Sequence, residues 1–94
     1  MSNIFVFHEG RDNSGWMWNN VFEGSDWAGD QKVPYTGISA GASAVVYNGK
    51  IHAFHQGRGD SGWLWCNVFN GSDWAGDTEV PNTGIFGGPG AVVY

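Results

Sequence analysis

The amino-acid sequence predicts an all-β chain made of two copies of one four-stranded unit, and three observations predict it. First, residues 7–30, FHEGRDNSGWMWNNVFEGSDWAGD, return as residues 54–77, FHQGRGDSGWLWCNVFNGSDWAGD. The displacement of about 47 residues is that of repeats in which each copy forms one supersecondary unit. Second, apolar and aromatic residues alternate with a period of two through short runs, and no stretch carries a helical period. Third, turn residues punctuate the chain at short intervals, and Asn48-Gly49 is the strongest hairpin signal among them. The repetition runs on through Val33-Pro34 and Val80-Pro81, through Thr36-Gly37-Ile38 and Thr83-Gly84-Ile85, and through Ala44-Val45-Val46-Tyr47 and Ala91-Val92-Val93-Tyr94. Two copies, residues 1–47 and 48–94, therefore make one two-repeat unit.

Residues 3–8, NIFVFH, are β-branched and aromatic and read as a strand, with residues 10–15 as the loop that follows. In residues 16–22, Trp16, Trp18, Asn20 and Phe22 share one face and Met17, Asn19 and Val21 the other. A strand apolar on much of both faces is covered on both. Glu23-Gly24-Ser25 reads as a tight turn, and Asp26-Trp27-Ala28 as a short outer strand ended by Gly29-Asp30. Residues 31–43, broken by Pro34, Gly37 and Gly41, read as a loop that leads to a small-residue strand, Ala44-Val45-Val46-Tyr47. Asn48-Gly49 joins that strand to residues 50–55, and the second copy repeats the order.

Each cycle thus holds four short antiparallel strands: AVVY, the IHAFH type, the WLWCNVF type and the Asp-Trp segment. Such a cycle at this repeat length is expected of a β-propeller blade, with the small strand innermost and aromatic strands packed between blades. A two-sheet sandwich or a pseudo-symmetric barrel is the alternative. The first copy starts at the second strand of a blade, and residues 91–94 are the first strand of a blade not otherwise present. Completion is expected head-to-tail between copies, which removes the unpaired edges. Two blades per chain then give a trimer of about six blades, a tetramer of about eight, or a pentamer that builds two rings of about five.

With 94 residues, the chain has room for one small domain. One cysteine excludes an internal disulfide framework, and Cys66, set in an apolar alternation, reads as a packed thiol. The net charge is −5, and Arg11, Lys32, Lys50 and Arg58 are scattered, so nothing favours nucleic acid or anionic lipid. The first residues lack the basic start of a secretory signal, and the apolar run there is too short to span a membrane. A cytoplasmic location or release by a non-classical route is expected, with no cofactor, and the histidines offer no metal-chelating spacing.

Six tryptophans stand among sixteen glycines. Tryptophan in so small a chain either fills core or makes a stacking platform. Sugars present C–H faces that pack on indole, and hydroxyls that need planar donors and acceptors. Each copy supplies that set. The candidates are Trp16, Trp27, Arg11, His8, Asn20 and Asp30 in the first copy, and Trp63, Trp74, Arg58, His55, Asn67 and Asp77 in the second. Trp18 and Trp65, mid-strand, read as core between blades; Trp16 and Trp63, at the border of loop and strand, read as the stacking pair. Trp27 and Trp74 divide between blade cover and pocket wall, and the four aspartates flanking them, Asp26, Asp30, Asp73 and Asp77, between turn capping and pocket wall. A structural role competes for His8 and His55, and a loop ion pair with Asp12 or Asp60 competes for Arg11 and Arg58. Arg58-Gly59-Asp60 spells an adhesion tripeptide, but Arg11-Asp12-Asn13 stands in its place in the first copy, so it reads as an accident of loop sequence.

The run GKIHAFHQGRGDSGWLWCNVFNGSDWAG, residues 49–76, resembles the blades of the β-propeller lectins of bacteria and fungi, the Photorhabdus and Aleuria fucose-lectin types included. It is also similar to short two-blade lectins that trimerise into a six-bladed ring. The resemblance covers both repeats. It implies pockets between adjacent blades, each binding a monosaccharide such as fucose or a methylated sugar, with an aromatic ring on the apolar face and Arg, Glu or Asp on the hydroxyls. The expected function is a multivalent carbohydrate-binding lectin without catalysis. The alternatives are a self-assembling structural module without ligand and a glycoside hydrolase. Near-identical duplication weighs against the hydrolase, which needs one specialised pair of carboxylates.

Overall fold

Short alternating runs bounded by glycine turns fold into antiparallel ladders, because each run has one face to bury and a two-residue or bulged turn to reverse it. The computed structural model describes residues 3–12, 14–59 and 61–94. Its strands are β1 (Ile4–Glu9), β2 (Trp16–Phe22), β3 (Gln31–Gly37), β4 (Ser39–Tyr47), β5 (Lys50–Gln56), β6 (Trp63–Phe69) and β7 (Thr78–Gly84). They form two sheets, β1-β2-β3 and β4-β5-β6-β7. The chain is thus all-β as expected, in two antiparallel sheets.

The sequence repeat reappears in the hydrogen-bond ladders. Phe5 faces Val21 in the first sheet as His52 faces Val68 in the second. Trp16 faces Gly37 as Trp63 faces Gly84, and each pairing slips between its two tryptophans. Asn48 and Gly49 both take positive φ, 52° and 72°, between the paired Tyr47 and Lys50. That is the geometry of the primed two-residue turn that an Asn-Gly pair favours.

Two expectations are corrected. Asp26-Trp27-Ala28 is not the outer strand: Trp27 and Trp74 each make a single bridge, to Phe22 and Phe69. The outer strands are β3 and β7, drawn from segments that read as loop because of Pro34 and Pro81. A proline without an N–H is tolerated where a strand's outer side needs no donor, so both prolines sit in edge strands. The second correction follows on: β4 starts at Ser39, well before Ala44, through a slip between Ser39 and Ala42 where Ala40 takes a φ of 74°. Residues 91–94, expected as a strand, take no ladder partner among the described residues.

The sheets stack face to face. Phe5, Phe7, Met17 and Asn19 point to the second sheet, which answers with Ile51, Ala53, His55, Asn67 and Phe69. Met17, Val33, Ile38 and Ala53 are fully buried at the junction. Phe7 meets Trp74 edge-on at 5.7 Å, and Phe5 lies 6.1 Å from Phe69. The remaining faces are only partly covered, with the result that equivalent residues differ in exposure: Ala53 is 0% exposed and its counterpart Val6 43%.

Met17, enclosed on all sides, tests the junction. Met17→Ala is expected to lower the unfolding free energy by about 2–5 kcal/mol, read from the urea midpoint. A loss of only a few tenths contradicts the stacked arrangement.

Candidate functional site

The loop after β1 and the loop after β5 have the same build. Gly10 N–H donates to Trp16 O at 3.0 Å, and Gly57 N–H to Trp63 O at 3.1 Å. Ser14 Oγ and Ser61 Oγ accept from the Trp16 and Trp63 amides. Each loop closes over the following strand's second tryptophan so tightly that glycine is required. A Cβ at Gly57 lies 2.7 Å from both Trp65 Nε1 and Ser61 Oγ, and one at Gly10 lies 2.5 Å from both Trp18 Nε1 and Ser14 Oγ.

The consequence is one pocket built twice. Gly57, Arg58, Ser61, Trp65 and Asp77 enclose about 280 Å³, with Gly37 of the first sheet as a further wall. Their counterparts Gly10, Arg11, Ser14, Trp18 and Asp30 enclose about 340 Å³. Each is lined by a tryptophan, an arginine, a serine and an aspartate.

The histidines hold the carboxylates in place. His8 Nε2 contacts Asp30 Oδ1 at 2.9 Å, and His55 Nε2 contacts Asp77 Oδ1 at 2.9 Å, while each Nδ1 faces the carbonyl of the next residue. The side chain of His55 is fully buried; that of His8 is 40% exposed. The hydrogen bond to Asp30 holds His8 above the ordinary imidazole value of 6.5, against the opposing effect of burial.

Arg58 has a second task. Its Nε–H donates to Gly15 O at 3.2 Å, and its guanidinium carbon lies 3.9 Å from the centroid of the Trp16 ring. Lys32 Nζ approaches the same ring at 3.7 Å. Trp16, expected as a stacking platform, is thus engaged by two cations, whereas Trp63 is 52% exposed. Beyond Arg58 lies a larger cleft of about 610 Å³ between the sheets, lined by Glu9, Ser14, Ser39 and Gly59 among others. Glu9 braces it, accepting from Gly15 N–H at 3.1 Å and from Ala40 N–H at 3.2 Å.

The remaining candidates lie apart from the two pockets. Asn20 and Asn67 accept from the Gly29 and Gly76 amides, and Asn67 Nδ2 also donates to Pro34 O and Thr36 Oγ1. Trp27 packs on Phe22, and Trp74 on Phe69 and Phe7. The Arg58–Asp60 pair lies outside the described residues; among those described, the ion pairs are His8–Asp30 and His55–Asp77. Cys66 is buried, and burial, with Asp77 beside it, pushes its thiol up, away from nucleophilic use.

Trp18, Trp65, Ser14, Ser61 and Glu9 are site residues that sequence reasoning missed. Strict alternation placed both tryptophans in core; the available signal was the Gly and Ser spaced alike before them in both copies. Comparison with protein-family models, characterised proteins and solved structures gives no match.

Because the folded value of His8 lies above its unfolded one, the His8–Asp30 contact stabilises the fold fully below about pH 6.5 and less as pH rises through the folded value. Asp30→Asn is expected to lower the NMR-observed titration midpoint of His8 and to flatten the corresponding part of the melting-temperature profile. An unchanged midpoint contradicts the pairing.

Proposed function

We propose that the protein is a multivalent carbohydrate-binding module without catalysis, with the repeated Arg–Trp–Ser–Asp pockets as its sugar sites and the two sheets as blades of a propeller ring completed by further copies. The observation that carries this reading is the duplication of the pocket from corresponding residues in both copies. Binding gains from copies, since several weak sites engaging one glycan-coated surface add up to avidity.

The chemistry suits a neutral sugar. The indole edge and the glycine floor offer apolar surface to C–H groups, Arg58 or Arg11 supplies a planar fork of donors, and Asp77 or Asp30 an acceptor fixed by its histidine. At about 280 Å³, the Arg58 pocket sits at the small end of ligand sites, in keeping with a single sugar ring. Glycoside hydrolysis requires two carboxyl groups across one cleft, and among the described residues each pocket is lined by one. Scattered basic residues and a net charge of −5 give nucleic acid and anionic membranes no footing.

Titration calorimetry against a monosaccharide panel that includes fucose and methylated sugars is expected to give dissociation constants of about a millimolar to a micromolar per site. Arg58→Met is expected to weaken binding at its pocket by about 1.5–3 kcal/mol, the worth of a charged hydrogen bond. Gly57→Ala, whose methyl group enters the floor of the same pocket, is expected to abolish it there. Silence across the panel and on a glycan array leaves the structural-module alternative; release of chromophore from aryl glycosides favours the enzyme.

A further inference from the structure

The junction between the two sheets is the template for a contact the chain leaves unmade. At the junction, the side of the second sheet that carries Ala53, His55 and Asn67 is covered by the first sheet. The same side of the first sheet carries Val6, His8 and Asn20 and is bare. In mirror fashion, Val33, Thr36 and Ile38 are buried against the second sheet, while their counterparts Val80, Thr83 and Ile85 are part-exposed. The molecule thus presents both halves of an interface it has already made once.

We propose that the bare side of the first sheet of one copy docks on the bare side of the second sheet of another copy, residue for residue as the internal junction. This extends the ring reading above to named contacts and stands apart from sugar binding. The acceptors are preset. Asn67 Nδ2 donates to Pro34 O and Thr36 Oγ1, and Asp77 N–H to Tyr35 O at 3.3 Å. The copy of that acceptor site keeps the same shape without a partner: Thr83 Oγ1 donates to Pro81 O at 3.1 Å as Thr36 does to Pro34 O, and Asn82 holds a φ of 61° beside the 60° of Tyr35. Left-handed backbone at a non-glycine residue is uncommon, and here it is reproduced where its donor is still to arrive. Asn20, whose amide oxygen is fixed by Gly29 N–H as that of Asn67 is by Gly76 N–H, is the matching donor.

Size and charge agree. Where Ala53 meets Met17 internally, Val6 meets the shorter Leu64 between copies, so the larger residue on one side is offset by the smaller on the other. Where Arg58 and Lys32 share the Trp16 ring, Arg11 meets Trp63 with Glu79 in the place of Lys32, which replaces repulsion by attraction.

The unpaired edge of β1 is served by the same docking. Residues 91–94 run on the outer side of the second sheet, lining with Val45, Tyr47, His52 and Phe54 one cavity of about 460 Å³. Gly87 N–H donates to Gln56 Oε1 there as Ala40 N–H does to Glu9 Oε1, so the segment follows the path of β4. An arriving β1 pairs with it in the β4–β5 register, Ala91 opposite Val6 and Val92 opposite Phe5. Arriving with the docked sheet, Gly84 supplies the wall of the Arg11 pocket that Gly37 supplies to the Arg58 pocket.

Native mass spectrometry of the full chain without sugar is the test. A discrete closed oligomer is expected. Arg11→Glu, which sets a carboxylate against Glu79, is expected to weaken association at least about tenfold. Glu79→Arg is expected to do the same, and the double exchange to restore it. A chain that stays monomeric at tens of micromolar, or an oligomer indifferent to both exchanges, overturns the docking. Thr83→Arg, on the opposite half of the contact, is expected to yield a monomer with the wild-type circular dichroism spectrum; an intact oligomer from it has the same overturning force. Titrating that monomer with monosaccharides scores the Arg58 pocket independently, since one chain builds that pocket whole.

Discussion

The stacking of one sheet on the next is the constraint on which the rest of the structure depends. A four-stranded sheet of this length buries one face only by finding another sheet, and here the first sheet supplies that cover for the second. Met17, Val33, Ile38 and Ala53 close the contact with apolar volume, while Asn67 ties it by donating to Pro34 O and Thr36 Oγ1. An unpartnered amide at Asn67, with 0% exposure, costs far more than the bond itself contributes, so the contact is specific as well as apolar. Equivalent residues differ in state: the His55 side chain, at the junction and beside β4, is fully buried and that of His8 is not.

Pocket and junction share Arg58. Its Nε–H on Gly15 O and its stacking on Trp16 belong to the contact between sheets, while the same residue lines the pocket with Trp65, Ser61 and Asp77. The candidate pocket is therefore held by the interface, and rigid support of this kind is what the proposed sugar site needs in order to bind without reorganising. The His–Asp pairs serve the same end from the other side. Asp77 is oriented by a buried imidazole, and Asp30 by one that is partly open to solvent.

Much of the fold was legible because the sequence says it twice. The strands β2 and β6, the Asn48-Gly49 turn and the β5 strand follow from period-two alternation and turn chemistry, which are local. The outer strands escaped because Pro34 and Pro81 mark a loop in isolation; only pairing at an edge, a non-local fact, makes them strand. The site was half legible. Residue types that suit a sugar singled out Arg11, Arg58, Asp30 and Asp77, yet the tryptophans lining the pockets are Trp18 and Trp65, not Trp16 and Trp63. Alternation states which face a side chain takes but not that a loop will fold back over its edge. The glycine floor at Gly10 and Gly57 does this, and it depends on an approach too close to admit a Cβ, which sequence spacing does not disclose.

The claim at the centre is that the internal junction is made again between copies, and disulfide trapping tests it most directly. In the internal junction Asn67 Nδ2 reaches Thr36 Oγ1 at 2.6 Å, so the proposed docking brings residues 20 and 83 of neighbouring copies to the same point. With Cys66→Ser as background, a chain carrying Asn20→Cys and Thr83→Cys should form covalent multimers on mild oxidation, seen as a ladder on a denaturing gel without reductant. A single band at the mass of one chain contradicts the account.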